Sequence, residues 1–210
     1  KKEFRNSRIQ KKNNRTMKKV NQTINLLKIS ASETVAINSI ALEKIRAGEK
    51  IYNLSAGEPM MPAPKVAARG FAQALKKGKT HYPSVSGVPE LRQIATEWMN
   101  ELYGSEFKKE NTIVVNGGKF GIFILLQAFL KPGDEVLIPA PYWVSYPSMV
   151  KIFKGLPKII EASQKDEWKI TPEDIIKNTN KKTKILILNN AGNPTGALYS
   201  KIEIKNILAT

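Results

Sequence analysis

Through the second half of the chain, short apolar runs alternate with amphipathic stretches, and the spacing predicts strands and helices in turn. Thr112–Val115, Glu135–Ile138, Lys158–Glu161 and Ile185–Leu188 are predicted as strands, and Lys119–Leu130, Tyr142–Phe153, Pro172–Asn178 and Ser200–Leu208 as helices. Such alternation implies right-handed crossovers, a mostly parallel sheet and an α/β fold. The run Lys184–Leu188 reads as a strand buried on both faces that delivers Asn193 to the sheet rim, where open α/β sheets hold their ligands. Asn193 precedes a proline, which biases it toward extended backbone and gives its side chain a defined direction. The same Asn-Pro-x-Gly segment is also an ordinary strand-to-loop turn.

The first half is more helical. Ser32–Ala47 is predicted as an amphipathic helix with Ser30 or Ser32 as N-cap and Gly48 as terminator, Lys65–Lys77 as a helix ended by Gly78, and Val88–Tyr103 as one ended by Gly104. Ile51–Leu54 is a short strand or extended piece leading into Ser55-Ala56-Gly57-Glu58-Pro59. The irregular loop Thr80–Gly87 is long enough to carry function.

Charge changes the picture only at the N-terminus. Of the net +16, half lies in residues 1–19, where nine Lys and Arg face Glu3 alone. Residues 1–16 are expected to be a disordered basic extension or upstream read-through, with Met17 as the natural start; an organelle transit segment or a nucleic-acid arm is the alternative. Aromatic side chains are not interleaved with these charges, which argues against nucleic acid as a partner. Absence of cysteine excludes disulfides and thiolate chemistry and accords with a reducing cytoplasm, and the single His81 argues against a histidine-rich metal site. No apolar run approaches the roughly 20 residues of a membrane span, so a soluble cytoplasmic protein is expected.

Three strand ends carry candidate chemistry. Asn116-Gly117-Gly118-Lys119 joins a strand to a helix, so backbone N–H groups and the positive end of the helix dipole are offered to a phosphate. Pro139-Ala140-Pro141-Tyr142-Trp143 places Trp143 in the first turn of the next helix, able to stack on a flat heterocycle. Asn193 adds a hydrogen-bonding amide. An anion cradle, a stacking plate and an amide on one rim suit a planar phosphorylated cofactor.

With these motifs the chain resembles the class I/II aminotransferases of the fold-type I family, which uses pyridoxal 5′-phosphate, and is most similar to the bacterial aspartate aminotransferase subgroup, some of whose members use prephenate. The resemblance runs from about Asn25 to the end. It rests on Ser55-Ala56-Gly57-Glu58-Pro59, Gly78-Lys79-Thr80-His81-Tyr82, Ser86-Gly87-Val88-Pro89-Glu90-Leu91-Arg92, Gly117-Gly118-Lys119, Pro141-Tyr142-Trp143 and Asn193-Pro194-Thr195-Gly196. It implies a three-layer αβα sandwich, incomplete at the C-terminus. Residues 17–63 would form an N-terminal arm and small-domain segment, and 64–210 the first part of the large cofactor-binding domain.

By the same resemblance, the Gly57 backbone meets the substrate carboxylate, and Gly118 and Lys119 hold the cofactor phosphate. Trp143 stacks on the pyridine ring and Asn193 bonds its phenolic oxygen, both also bordering the substrate. Tyr82 reaches the phosphate of a neighbouring subunit's cofactor, which implies a homodimer. Amino acid and 2-oxo acid are the implied substrates, of the aspartate/2-oxoglutarate type. Met60-Met61 and Ala191-Gly192 depart from the family pattern and leave substrate preference open. The family's Schiff-base lysine, pyridinium carboxylate and substrate arginine lie beyond the Asn-Pro-x-Gly segment, so no catalytic residue is assigned. Another fold-type I activity, a carbon–sulfur lyase or synthase, and a non-catalytic basic binding module are the competing readings.

Overall fold

The computed structural model describes residues 33–55, 57–59 and 61–210. The basic leader, Met17, the candidate caps Ser30 and Ser32, and Met60 of the departing Met60-Met61 pair lie outside the described residues. The chain divides into two compact units, one of Ala31–Lys131 and one containing Pro132–Thr210. The division falls within the segment 64–210 that the sequence suggested as a single piece.

The N-terminal unit holds helices α1 (Glu33–Arg46), α2 (Lys65–Lys76), α3 (Pro89–Tyr103) and α4 (Gly118–Phe129). Helix α3 starts on Pro89, whose missing N–H costs nothing in a first turn, and ends on Gly104 in the left-handed region at φ 63°. The segment Thr112–Val115, expected as a strand, is not one. Its Val114 N–H donates to Ser86 O at 3.0 Å, and Arg92 on α3 takes two carbonyls, with Nε to Thr112 O and Nη2 to Lys109 O at 2.7 Å each. Among the described residues no second strand lies beside it, so a β-prone sequence stays extended without a ladder. Thr96, the buried polar residue of α3, completes the anchor by bonding Arg92 O and the Thr112 hydroxyl at 2.7 and 2.6 Å.

The C-terminal unit runs β1 (Glu135–Ala140), α5 (Ser145–Ile152), β2 (Leu156–Glu161), α6 (Pro172–Asn178), β3 (Thr183–Leu186) and α7 (Lys201–Leu208). Its three strands are parallel in the order β2-β1-β3, an α/β sheet with flanking helices as expected. Strand β1 is central: Val136, Leu137 and Ile138 are each at most 1% exposed. Leu137 and Ile160 meet Ile175 of α6, Ile207 of α7, Ile170 and Tyr199 in one core cluster. Strand alternation turns Val136 and Ile138 to the opposite face, and α5, with buried Met149 and Val150, lies against β1 and β2. Burying each such side chain contributes about 1.5–3 kcal/mol.

The strand expected to be buried on both faces, Ile185–Leu188, is instead Thr183–Leu186 at one side of this sheet, only half-buried along its apolar positions. The ladder starts at polar Thr183 because backbone pairing with Glu135, not side-chain polarity, sets it, and Ile187 N–H still reaches Leu137 O at 3.0 Å. Register breaks between Glu135, opposite Thr183, and Val136, opposite Ile185, so Lys184 is an extra residue. Helices α6 and α7 open on reciprocal caps, Thr171 with Asp174 and Ser200 with Glu203.

Gly87 sits at φ +104°, and a Cβ built there falls 2.7 Å from Val114 Cβ. Gly87→Ala should therefore destabilise the protein by about 2 kcal/mol through backbone strain and overpacking, read as a lower denaturant midpoint at unchanged slope.

Candidate cofactor site

Strands β1 and β3 are parallel neighbours, so the loops that follow them leave from the same edge of the sheet. At the end of β1 the chain passes through the cis Ala140–Pro141 peptide to Tyr142 and Trp143. The helix expected from Tyr142 begins only at Ser145, which puts Trp143 before the first turn and not in it. Pro147 explains the delay. Starting at Ser145 places its ring at the third position, where no N–H is needed, whereas an earlier start would set it against a carbonyl four residues back. Trp143 is half-buried, its ring edge-on to Tyr146 with centroids 5.4 Å apart at 87°.

After β3 the loop 190–199 folds back on itself. The Asn190 side chain bonds both backbone groups of Tyr199: Oδ1 accepts its N–H at 2.8 Å and Nδ2 donates to its carbonyl at 3.2 Å. Inside that closure Gly192 N–H donates to Ala197 O at 2.8 Å and Gly196 N–H to Gly192 O at 2.7 Å. Asn193, followed by a cis peptide to Pro194, is exposed between these ties. Pro139, Tyr142, Tyr146, Asn193, Thr195 and Tyr199 line a common cleft. Tyr199 is buried and its hydroxyl accepts from Ile170 N–H at 2.8 Å. Burial pushes the Tyr146 and Tyr199 phenols above their ordinary pKa, so both stay neutral through the physiological range.

The remaining candidates belong to the N-terminal unit. Gly118 and Lys119 open α4, and Gly117 before them has φ 86°. The first helical bond here is Gly121 N–H to Gly117 O at 3.2 Å, and no side chain caps the end. A Cβ built on Gly118 meets nothing within 4 Å, so the helix start is open to an anion drawn by the dipole. Tyr82 and Gly57 are both exposed in their unit. Thus the structure brings Trp143 and Asn193 to one sheet edge in the C-terminal unit, while Gly57, Tyr82, Gly118 and Lys119 are carried by the other. A glycine-lined helix start and an aromatic, amide-bearing cleft are donor sets for phosphate and a flat ring. Among the described residues there is no group of three or more His, Asp or Glu that could hold a metal, and no helix long and apolar enough to cross a membrane.

A parallel sheet with its post-strand loops at the carboxyl ends of neighbouring strands is the architecture of α/β ligand-binding domains. The chain belongs to the aminotransferase class I and II family, whose model matches residues 49–210; the cofactor of that family is pyridoxal 5′-phosphate. It is 40% identical over 193 residues to a probable aspartate/prephenate aminotransferase of Thermus aquaticus, covering 92% of this chain and 50% of that protein. Aspartate aminotransferase of Thermus thermophilus, solved with maleate, superposes with a TM-score of 0.87 at 37% identity over 90% of this chain and 49% of that one. The Rhizobium meliloti aspartate aminotransferase gives 0.83 at 31% identity, over 90% and 47%. The chain spans about half the length of these relatives.

The anchoring roles of Asn190, Tyr199 and Arg92 leave no periodic signal in the sequence, because each bonds backbone groups elsewhere in the chain. The one available hint was Asn190 at the end of an apolar run. Tyr199→Phe would strand the Ile170 N–H in the core and should cost about 1–3 kcal/mol of stability by chemical denaturation. At the loop exit, the Ser200 backbone N–H, then the Ser200 hydroxyl and Lys169, hold the Glu203 carboxyl below its ordinary pKa. That contribution is complete above the ordinary value and is lost as pH falls through the lowered one. Glu203→Gln should accordingly flatten the fall of the denaturation midpoint with acidification, and an unchanged acid profile would refute the cap's role.

Proposed function

We propose that this chain forms one part of the cofactor and substrate site of a pyridoxal-phosphate aminotransferase that moves an amino group between an amino acid, of the aspartate or glutamate kind, and a 2-oxo acid. The observation that supports it best is the departure of the Trp143 and Asn193 loops from adjacent parallel strands at one sheet edge. Two of the relatives are named for aspartate/prephenate transamination, which favours a dicarboxylate donor. The cofactor, when bound, supplies an electron sink next to the substrate α-carbon.

Trp143 packs its face on the pyridine ring and fixes its plane. Asn193 donates its amide N–H to the ring's phenolic oxygen and so holds a proton balance at that atom. The first-turn N–H groups at Gly118 and Lys119, with the Lys119 ammonium, neutralise the phosphate. The Gly57 backbone receives the substrate carboxylate. Tyr82 serves the phosphate of a second subunit in a homodimer. Residues 17–63 belong to an arm and small-domain segment and 64–210 to the large domain, in a cytoplasmic protein. No lysine of this chain is assigned the covalent role, which we place in the part of the relatives that the chain does not span.

The test is cofactor binding to the protein carrying this chain, followed by absorbance and tryptophan quenching. Trp143→Ala and Asn193→Ala should each weaken pyridoxal phosphate binding about tenfold, the effect of losing one stacking or hydrogen-bonding contact of about 1.4 kcal/mol. Undiminished affinity in both variants would overturn the reading.

A further inference from the structure

We infer that Asn190 is a positioning residue for Asn193, setting the presentation of the cofactor-facing amide without touching the cofactor; this rests on the proposed cofactor site. The argument is one of geometry. Loop 190–199 returns to the core at Tyr199, and that return point is fixed twice. From the core side, the buried Tyr199 ring bonds Ile170 N–H through its hydroxyl at 2.8 Å. From the loop side, the Asn190 amide imitates a neighbouring peptide, accepting from Tyr199 N–H at 2.8 Å and donating to its carbonyl at 3.2 Å.

A primary amide is the side-chain group that matches both halves of a peptide at once, so this pairing is a single rung of sheet ladder made by a side chain. It joins the start of the loop to its end, three residues before Asn193 and six after it. Within the rung the backbone ties Gly192 to Ala197 and Gly196 to Gly192 leave little freedom for the segment between. The Thr195 hydroxyl, which accepts from Ala197 N–H at 3.2 Å, occupies the space next to Gly192: a Cβ there would stand 2.9 Å from it. The loop is thus tight inside and latched outside, and Asn190 is the latch. Loss of the latch leaves the inner ties to hold alone, so Asn193 samples orientations in which its amide misses the phenolic oxygen. Affinity falls by the lost competent fraction.

The experiment is a double-mutant cycle on the protein carrying this chain. Its probe is pyridoxamine 5′-phosphate, which keeps the phenolic oxygen but cannot bond covalently to a lysine. Asn190→Ala should weaken binding about five- to tenfold and speed amide exchange at Tyr199, whose N–H and carbonyl lose their partner. Asn193→Ala should weaken it similarly, and the double variant no further than Asn193→Ala alone, because one residue acts through the other. Should Asn190→Ala fail to fold, Asn190→Asp keeps shape and acceptor, loses the donor to Tyr199 O, and should fall between wild type and Asn193→Ala. If Asn193→Ala weakens binding while the Asn190 variants do not, or if the two effects add, the positioning role is wrong and the cofactor reading stands. If Asn193→Ala has no effect, the inference falls, and the cofactor reading falls with it only where Trp143→Ala also leaves affinity undiminished.

Discussion

Everything in the C-terminal unit leans on the burial of β1. Strand β1 gives backbone hydrogen bonds to β2 on one side and β3 on the other, and carries apolar side chains to both faces, so its centre, Val136 to Ile138, is closed to solvent. A parallel strand so placed cannot form without its neighbours and the helices that cross between them. Its carboxyl end is therefore the best-determined point of the unit. The Trp143 loop starts there directly, and the Asn193 loop starts from the strand bonded beside it.

The N-terminal unit solves a related problem by other means. Thr112–Val115 is extended and mostly apolar, yet its Thr112 carbonyl meets a guanidinium where a strand would meet another strand. Arg92 suits this use because its planar fork can serve two carbonyls from one rigid group. The segment reaches the Gly117–Gly118 turn with its direction set by an arginine and two threonines, Thr96 and Thr112, and the start of α4 inherits that direction.

Much of this was legible in the residues. The helices expected over Pro172–Asn178 and Ser200–Leu208 match α6 and α7 to within a residue, Gly104 ends α3, and the apolar cores of β1 and β2 stand out. What failed to show has common causes. Thr183 looks polar but pairs through backbone with Glu135, and Lys184 beside it is the unpaired residue of a bulge. Thr112–Val115 looks like a strand, but pairing depends on a neighbour no local pattern encodes. Pro141 reads as a helix opener and points to Trp143 as helical, whereas Pro147 holds the helix back to Ser145. The candidate ligands were recognisable as motifs, while Asn190, which latches the loop, resembles any asparagine at a strand's end.

Lys184, the extra residue in β3, has an effect along the whole strand. With one more residue on β3 than on β1, Ile185 and Leu186 come into phase with Val136 and Leu137, while Thr183 stays paired with Glu135. The surplus lysine is accommodated with its charge outward. In a straight ladder the same sequence would run one step of about 3.3 Å further along, and alternation would turn its apolar set to the wrong face. The bulge works as a phase corrector: it sets both the facing of β3 and the depth at which its loop emerges, so the height of Asn193 above the sheet is already decided at the strand's opposite end.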